Sequence, residues 1–219
     1  MSTLAEADSG TALRCVHVDD ACIVVDKPSG LLSVPGRGAH LQDCAAARLQ
    51  ARWPDARVVH RLDMATSGLL LFARGALAQR RLSEAFAQRA VEKRYVAVVQ
   101  GAVAQASGEI DLPLLTDWPN RPRQKVCLAQ GKPSLTRWRV IGHDALRHTT
   151  RLELTPLTGR SHQLRVHLLA LGHPIVGDAL YAPPEVQAQA DRLLLHAEAL
   201  GFAHPVSGDW IQLESPAPF

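Results

Sequence analysis

The residues best suited to chemistry lie in one short run, Val58-Val59-His60-Arg61-Leu62-Asp63-Met64-Ala65-Thr66-Ser67-Gly68, which passes straight into Leu69-Leu70-Leu71-Phe72-Ala73. It presents a single carboxylate, Asp63, with His60 and Arg61 before it and Thr66 and Ser67 after it, gripped at both ends by apolar, strand-like residues. A carboxylate held this still suits nucleophilic or general-base work, which depends on fixed geometry. The simplest role of an Asp between two strands is an Asx turn or a cap. The surrounding pattern is what lifts Asp63 above that role.

Two further groups stand out. Tyr95 opens a strand directly after Glu92-Lys93-Arg94. Its phenol either packs or, beside an Asp nucleophile and a flat base, serves as a stacking platform or proton acceptor. The run Thr158-Gly159-Arg160-Ser161-His162-Gln163-Leu164-Arg165-Val166-His167 puts polar groups on the first turns of a helix, Arg160 near its start and His162, Arg165 and His167 beyond. His162 and His167 are five apart and point to different sides of a helix, unlike the i,i+4 pair of a zinc metalloprotease. No metal site is expected. There is no glycine-rich phosphate loop, GxSxG elbow or dinucleotide fingerprint, so no nucleotide cofactor is expected either. Cys15, Cys22, Cys44 and Cys127 have no CxxC spacing and read as buried free thiols in a reducing cytoplasm.

These groups need elements to position them. Residues 13–18 and 22–26 form two β-rich runs that suggest an opening hairpin, and residues 43–52 are Ala-rich and helical in pattern. Residues 68–74 read as a buried strand, and 76–89 as a helix with one apolar face formed by Leu77, Leu82, Ala85 and Phe86. Strands follow at 94–100, 134–142 and 149–157, a helix at 161–171 closed by Gly172-His173-Pro174, and strands at 193–204 and 209–214. Residues 114–132 read as a basic loop around Trp118-Pro119-Asn120-Arg121-Pro122-Arg123-Gln124-Lys125. Many strands and few helices, without βαβ alternation, predict an α+β fold on a mixed, mostly antiparallel sheet. The expected organisation is a flexible tail at residues 1–12 and one catalytic domain over 13–219, working as a monomer.

The chain has 219 residues, 47% of them hydrophobic and 21% charged, which is ordinary for a globular protein. Residues 1–12 lack the apolar core of a signal peptide. No apolar run approaches the roughly 18 residues of a membrane span, so a cytoplasmic protein is expected. The net charge of +3 is unevenly spread. From Arg74 to Arg165 there are sixteen Lys/Arg against seven Asp/Glu, a balance of +9, which leaves −6 elsewhere. Such a region suits a polyanion, and the twenty arginines carry planar forks for phosphate and base stacking. Genome composition is the competing explanation of the arginine excess, but it does not explain the clustering.

Taken together, these motifs resemble the RluA family of RNA pseudouridine synthases. The tetrad His60-Arg61-Leu62-Asp63 with Thr66-Ser67-Gly68 resembles the family's nucleophile motif, and KRYVAVVQG at 93–101 resembles the motif with its active-site tyrosine. LTPLTGRSHQLRVH at 154–167, LGHPIVGDALY at 171–181, Lys27 to Gly30, and Arg192 with the leucine-rich stretch after it also match. The likeness covers residues 13–216 and implies a central cleft in the sheet. With a short N-terminus, no added RNA-binding module is expected. With the sequence DLPLLTDWPNRPRQKV at 111–126, this points to the dual-specificity branch, acting on a hairpin loop of 23S rRNA and a tRNA anticodon stem-loop.

The resemblance implies that Asp63 acts as nucleophile, or as base where the sugar is deprotonated. Arg165 is then its ion-pair partner, whose removal costs activity more than folding. Tyr95 lies against the uracil and assists loss of the C5 proton, while Leu164 packs near the base. A uridine in folded RNA must first be extruded, at a cost of a few kcal/mol. Arg61 is expected to fill the vacated space, with His60, Arg160 and His162 also near the substrate. Arg121, Arg123 and Lys125, with Arg80, Arg81, Arg89 and Arg94, are expected to meet phosphates. Two other classes stay in view: a metal-dependent RNA phosphodiesterase using the ten histidines with Asp63, and an RNA-binding protein without catalysis.

Overall fold

The computed structural model describes residues 13–219. The tail expected at residues 1–12 lies outside them. In chain order the elements are β1 (Arg14–Val18), β2 (Cys22–Lys27), α1 (Ala45–Arg52), β3 (Ala56–Val58), β4 (Ser67–Arg74), α2 (Gly75–Ala87) and β5 (Glu92–Gln100). There follow β6 (Ser107–Asp111), β7 (Leu114–Thr116), β8 (Gln124–Val126), β9 (Leu135–Asp144), β10 (Thr149–Pro156) and α3 (Gln163–Ala170). The chain closes with α4 (Pro184–Gln187), β11 (Leu195–Ala203) and β12 (Trp210–Glu214). Ten strands form one sheet in the order β1-β2-β4-β11-β5-β10-β9-β6, with β3 beside β4 and β12 beside β11. The β4–β11 pairing is parallel and the other pairings in that sheet are antiparallel, so the fold is α+β with a mixed, mostly antiparallel sheet.

Side chains alternate across a strand, and here both faces of β2 and β4 are covered. Ile23, Val25, Leu70 and Phe72 pack with Ala45, Ala46 and Leu49 of α1. Their neighbours Val24, Leu69, Leu71 and Ala73 pack with Ala78 and Leu82 of α2. Burial on two sides is why residues 69–73 are continuously apolar rather than alternating. The other half of the sheet builds its own core from Ala97, Val99, Trp138, Leu152 and Leu154 against Leu164 and Leu168 of α3.

The two halves meet at the seam between β4 and β11, which is paired only at His196↔Ser67 and Ala197↔Gly68. Gly68 has φ 108°, and a methyl group there would run into the main chain of Ala197. Only glycine lets the strands approach this closely. Tyr95 on β5 pairs with Ala197 and packs against the cores of both halves. The segment carrying Asp63 therefore enters at the one place where the sheet's two halves join.

The hairpin β7–β8 within the basic stretch 114–132 and the short, largely polar strand β6 were not expected. Each is held by main-chain pairing to a distant strand or across a long loop, which leaves no periodic trace in the sequence. No helix among the described residues is long and apolar enough to cross a membrane.

Candidate active site

Asp63 sits between β3 and β4 on a segment whose carbonyls are clamped from below. The ammonium of Lys27, fully buried at the end of β2, donates to the carbonyls of Pro28, Leu31 and Met64. Burial, partly offset by the charge of Asp63, lowers its pKa to about 8. Ser29 Oγ donates to Ala65 O, the Gly30 N–H donates to Met64 O, and Ser33 Oγ donates to Leu62 O while accepting from the Leu62 N–H. These bonds satisfy main-chain groups that a buried turn would otherwise leave unpaired, and they fix the position of Asp63.

The Asp63 carboxylate is 22% exposed, and a different donor faces each of its oxygens. Arg165 Nη1 lies 3.7 Å from Oδ2, and His162 Nε2 lies 3.8 Å from Oδ1. Both distances are too long for a hydrogen bond. The anion is thus held by nearby charge and dipole while its lone pairs stay free, which suits a nucleophile or base.

Arg165 is itself fixed. Its Nε and Nη2 donate to Asp178 at 2.8 and 2.6 Å, and its guanidinium lies 5.0 Å over the ring of Tyr181. Asp178 also accepts the N–H groups of Leu180 and Tyr181. This fork pair is almost fully buried, with 4% and 1% of the side chains exposed. Arg165 therefore has a folding role beside the role in activity expected of it: removing it strands a buried carboxylate. Asp178, Tyr181 and Lys27 were not singled out from the sequence, although the stretches containing them matched.

The carboxylate lies between two cavities. One, of about 470 Å³, is lined on its apolar side by Tyr95, Leu164, Leu195 and Phe86. Its polar rim carries Arg61, Arg89, Lys93 and Arg160. The other, of about 1140 Å³, runs from Asp63 past Lys27 and Arg165 to Arg192. Arg61, Asp63 and His162 line both. Burial and the charge of Asp63 push the Tyr95 phenol well above its ordinary pKa, so it is neutral and suited to stacking more than to accepting a proton.

Among the described residues, three that are not glycine have a positive φ: Arg89, His148 and His162. Two of them line the Asp63 cavity. Left-handed backbone costs such residues about 1 kcal/mol or more and gathers at functional sites. Arg89 ends α2 where a glycine would be usual, and His162 precedes α3 at φ 54°.

The structure redistributes several expected roles. His60 lines the cavity edge, but its Nε2 accepts the Leu71 N–H at 2.9 Å and its ring stacks on Phe86, so it braces the Asp63 segment against β4. Burial lowers its pKa to about 3, which keeps that acceptor neutral. Among the expected phosphate ligands, Arg80 pairs with Glu84, Arg94 with Glu198 and Glu214, and Arg81 donates to Pro205 O. Arg61, Arg89, Lys93 and Arg160, which line the cavity, have no carboxylate partner among the described residues, and Arg160 donates to Pro133 O. Arg121 stacks over Trp118, and Lys125 lies 3.4 Å from Asp117 on the exposed β7–β8 hairpin with Arg123. His167 is buried, far from being a ligand, bonded to Thr136 Oγ1 and Leu112 O.

One mixed donor group exists among the described residues, His17, Asp19 and Cys22. His17 Nε2 and Asp19 Oδ2 are 2.6 Å apart, a hydrogen bond with no space for an ion. It lies at the opposite end of β2 from Lys27 and the Asp63 segment.

A sequence profile described as RNA pseudouridylate synthase matches residues 21–170. Over 207 residues, 94% of each chain, the sequence is 52% identical to the dual-specificity RNA pseudouridine synthase RluA of Escherichia coli K12. It is 50% identical over the same span to the RluA of Pasteurella multocida. Among solved structures, human RNA pseudouridylate synthase domain containing 1 superposes with a TM-score of 0.81 at 30% identity, covering 98% of this chain and 87% of that one. A second human protein, domain containing 4, has a TM-score of 0.75 at 23% identity and shares the fold. A clamped carboxylate at the seam of a mixed sheet, together with this likeness along nearly the whole length, means that the chain belongs to the RNA pseudouridylate synthases, as an isomerase of the RluA family.

Proposed function

We propose that this enzyme converts uridine to pseudouridine in a hairpin loop of 23S rRNA and in a tRNA anticodon stem-loop, with Asp63 as the attacking group. The relatives that are about half identical are named for dual specificity, and this reading carries their specificity over. The observation behind Asp63 is its setting: an anion faced on both oxygens but hydrogen-bonded on neither, opening into a cavity lined in part by Phe86, Tyr95, Leu164 and Leu195. The Asp63 carboxylate bonds to C1′ as the C1′–N1 bond breaks, the uracil turns, and C5 bonds to C1′ and expels the carboxylate. The proton lost from C5 is matched by one gained at N1, so atoms balance with no oxidant or second substrate.

Tyr95 stacks on the uracil with Leu164 behind it, and the cationic rim takes the flanking phosphates. Arg61, exposed between the two cavities, enters the space the uridine leaves. His60 and Arg160 border the same cavity, and the molecule acts as a cytoplasmic monomer.

Asp63→Asn tests the reading. Release of label from 5-tritiated uridine in a synthetic stem-loop should fall by more than about 10³-fold while RNA affinity stays near wild type. Continued turnover by Asp63→Asn defeats it. Arg61→Ala should lose far more activity on the folded stem-loop than on a short single strand, and equal losses rule out the space-filling role. Chelator-sensitive strand scission is the outcome that would favour a phosphodiesterase.

A further inference from the structure

His162 faces Asp63 through Nε2, and what that atom presents depends on where the neutral ring keeps its proton. Tyr181 decides this. The N–H of Gln124, the first residue of β8, donates to Tyr181 Oη at 2.8 Å. The hydroxyl's own proton then needs an acceptor, and among the described residues the one within reach is His162 Nδ1, at 2.7 Å. Nδ1 therefore accepts, and the proton of the imidazole resides on Nε2, 3.8 Å from Asp63 Oδ1. Burial lowers the His162 pKa against the pull of Asp63, which keeps the ring neutral.

The ring reaches this place because His162 adopts φ 54°. The chain bears that unfavourable conformation immediately before α3, so that Arg165, three residues on, and His162 can address the two oxygens of one carboxylate. Tyr181 touches both donors: its ring lies under the Arg165 guanidinium and its hydroxyl holds His162.

We propose that Tyr181 is a positioning residue for the isomerisation. Its hydroxyl locks His162 in the Nε2–H tautomer aimed at Asp63, and it hangs that lock on the main chain of the basic β7–β8 hairpin. RNA seated on the hairpin thereby bears on the carboxylate through Gln124, Tyr181 and His162. The inference rests on Asp63 being the attacking group.

The test uses the full chain with ¹⁵N-labelled histidine. Wild type should show His162 as the Nε2–H tautomer, and Tyr181→Phe should show a mixture of tautomers. In the same protein kcat should fall about 10–100-fold, the usual cost of losing a hydrogen-bond partner behind a site residue, with KM for the stem-loop unchanged. His162→Gln keeps an N–H donor near the Nε2 position and should retain more activity than His162→Ala. Adding Tyr181→Phe to His162→Gln should cost nothing further, because the coupling runs through the imidazole. A His162 that stays Nε2–H in Tyr181→Phe, or a Tyr181→Phe kcat equal to wild type, overturns the proposal. Asp63→Asn separates the two readings: an active Asp63→Asn refutes the role of Asp63 and leaves the tautomer result standing by itself.

Discussion

Arg165 shows how one side chain can serve folding and chemistry together. Two of its nitrogens are committed to Asp178, and the third faces Asp63. Arg165→Met should therefore lower unfolding free energy by about 3–5 kcal/mol, since Asp178 is left buried without its partner. Asp63→Asn should leave stability within about 1 kcal/mol, because Asp63 makes no close pair to lose. Urea denaturation of both variants checks this, and equal midpoints would remove the structural role given to Arg165. Lysine would not replace it, since one ammonium cannot reproduce the fork that grips Asp178.

At the scale of elements, legibility followed burial. The hairpin β1–β2, the strand β4 and the helices α1 and α2 were readable because each buries a regular set of residues in its own core. The β7–β8 hairpin was read only as a basic loop, because three-residue strands leave no period. Its charges were visible all the same. Arg121 and Arg123 on this hairpin should contact phosphate, so Arg121→Ala with Arg123→Ala should weaken binding of all stem-loops alike. The slope of log affinity against log salt should shrink by roughly one per lost contact. A slope unchanged from wild type means that the hairpin does not meet the RNA backbone.

Across the whole molecule, buried neutral histidines set the response to acid. Burial lowers the pKa of His60 to about 3, and it also lowers those of His162, His167 and His196. Below the ordinary value of 6.5 the unfolded chain takes up protons that the folded chain refuses. Stability is therefore full above pH 6.5 and is lost as pH falls, by up to about 1.4 kcal/mol per pH unit for each such histidine. Unfolding free energy measured at pH 7.5 and pH 5 should drop steeply, and His60→Gln, which keeps an acceptor for the Leu71 N–H, should flatten the drop. Equal stability at the two pH values would contradict the burial of these rings. The charge imbalance has a molecular reading too: Arg80, Arg94, Arg137 and Arg139, within the basic region 74–165, are paired with carboxylates, whereas Arg61, Arg89 and Arg160 at the cavity have no carboxylate partner among the described residues.

The amino-acid sequence alone determined the segment that carries Asp63, the strands that grip it, the arginine three residues into the polar helix start, and the resemblance that named the chemistry. These are properties of contiguous residues, where spacing sets geometry. The tertiary structure decided which groups surround the carboxylate. Asp178 meets Arg165 across 13 residues, Lys27 meets Met64 across 37, and Tyr181 meets Gln124 across 57. Those contacts arise from how segments distant in the chain pack within each half of the fold, and no local pattern encodes a distance between segments that only packing brings together.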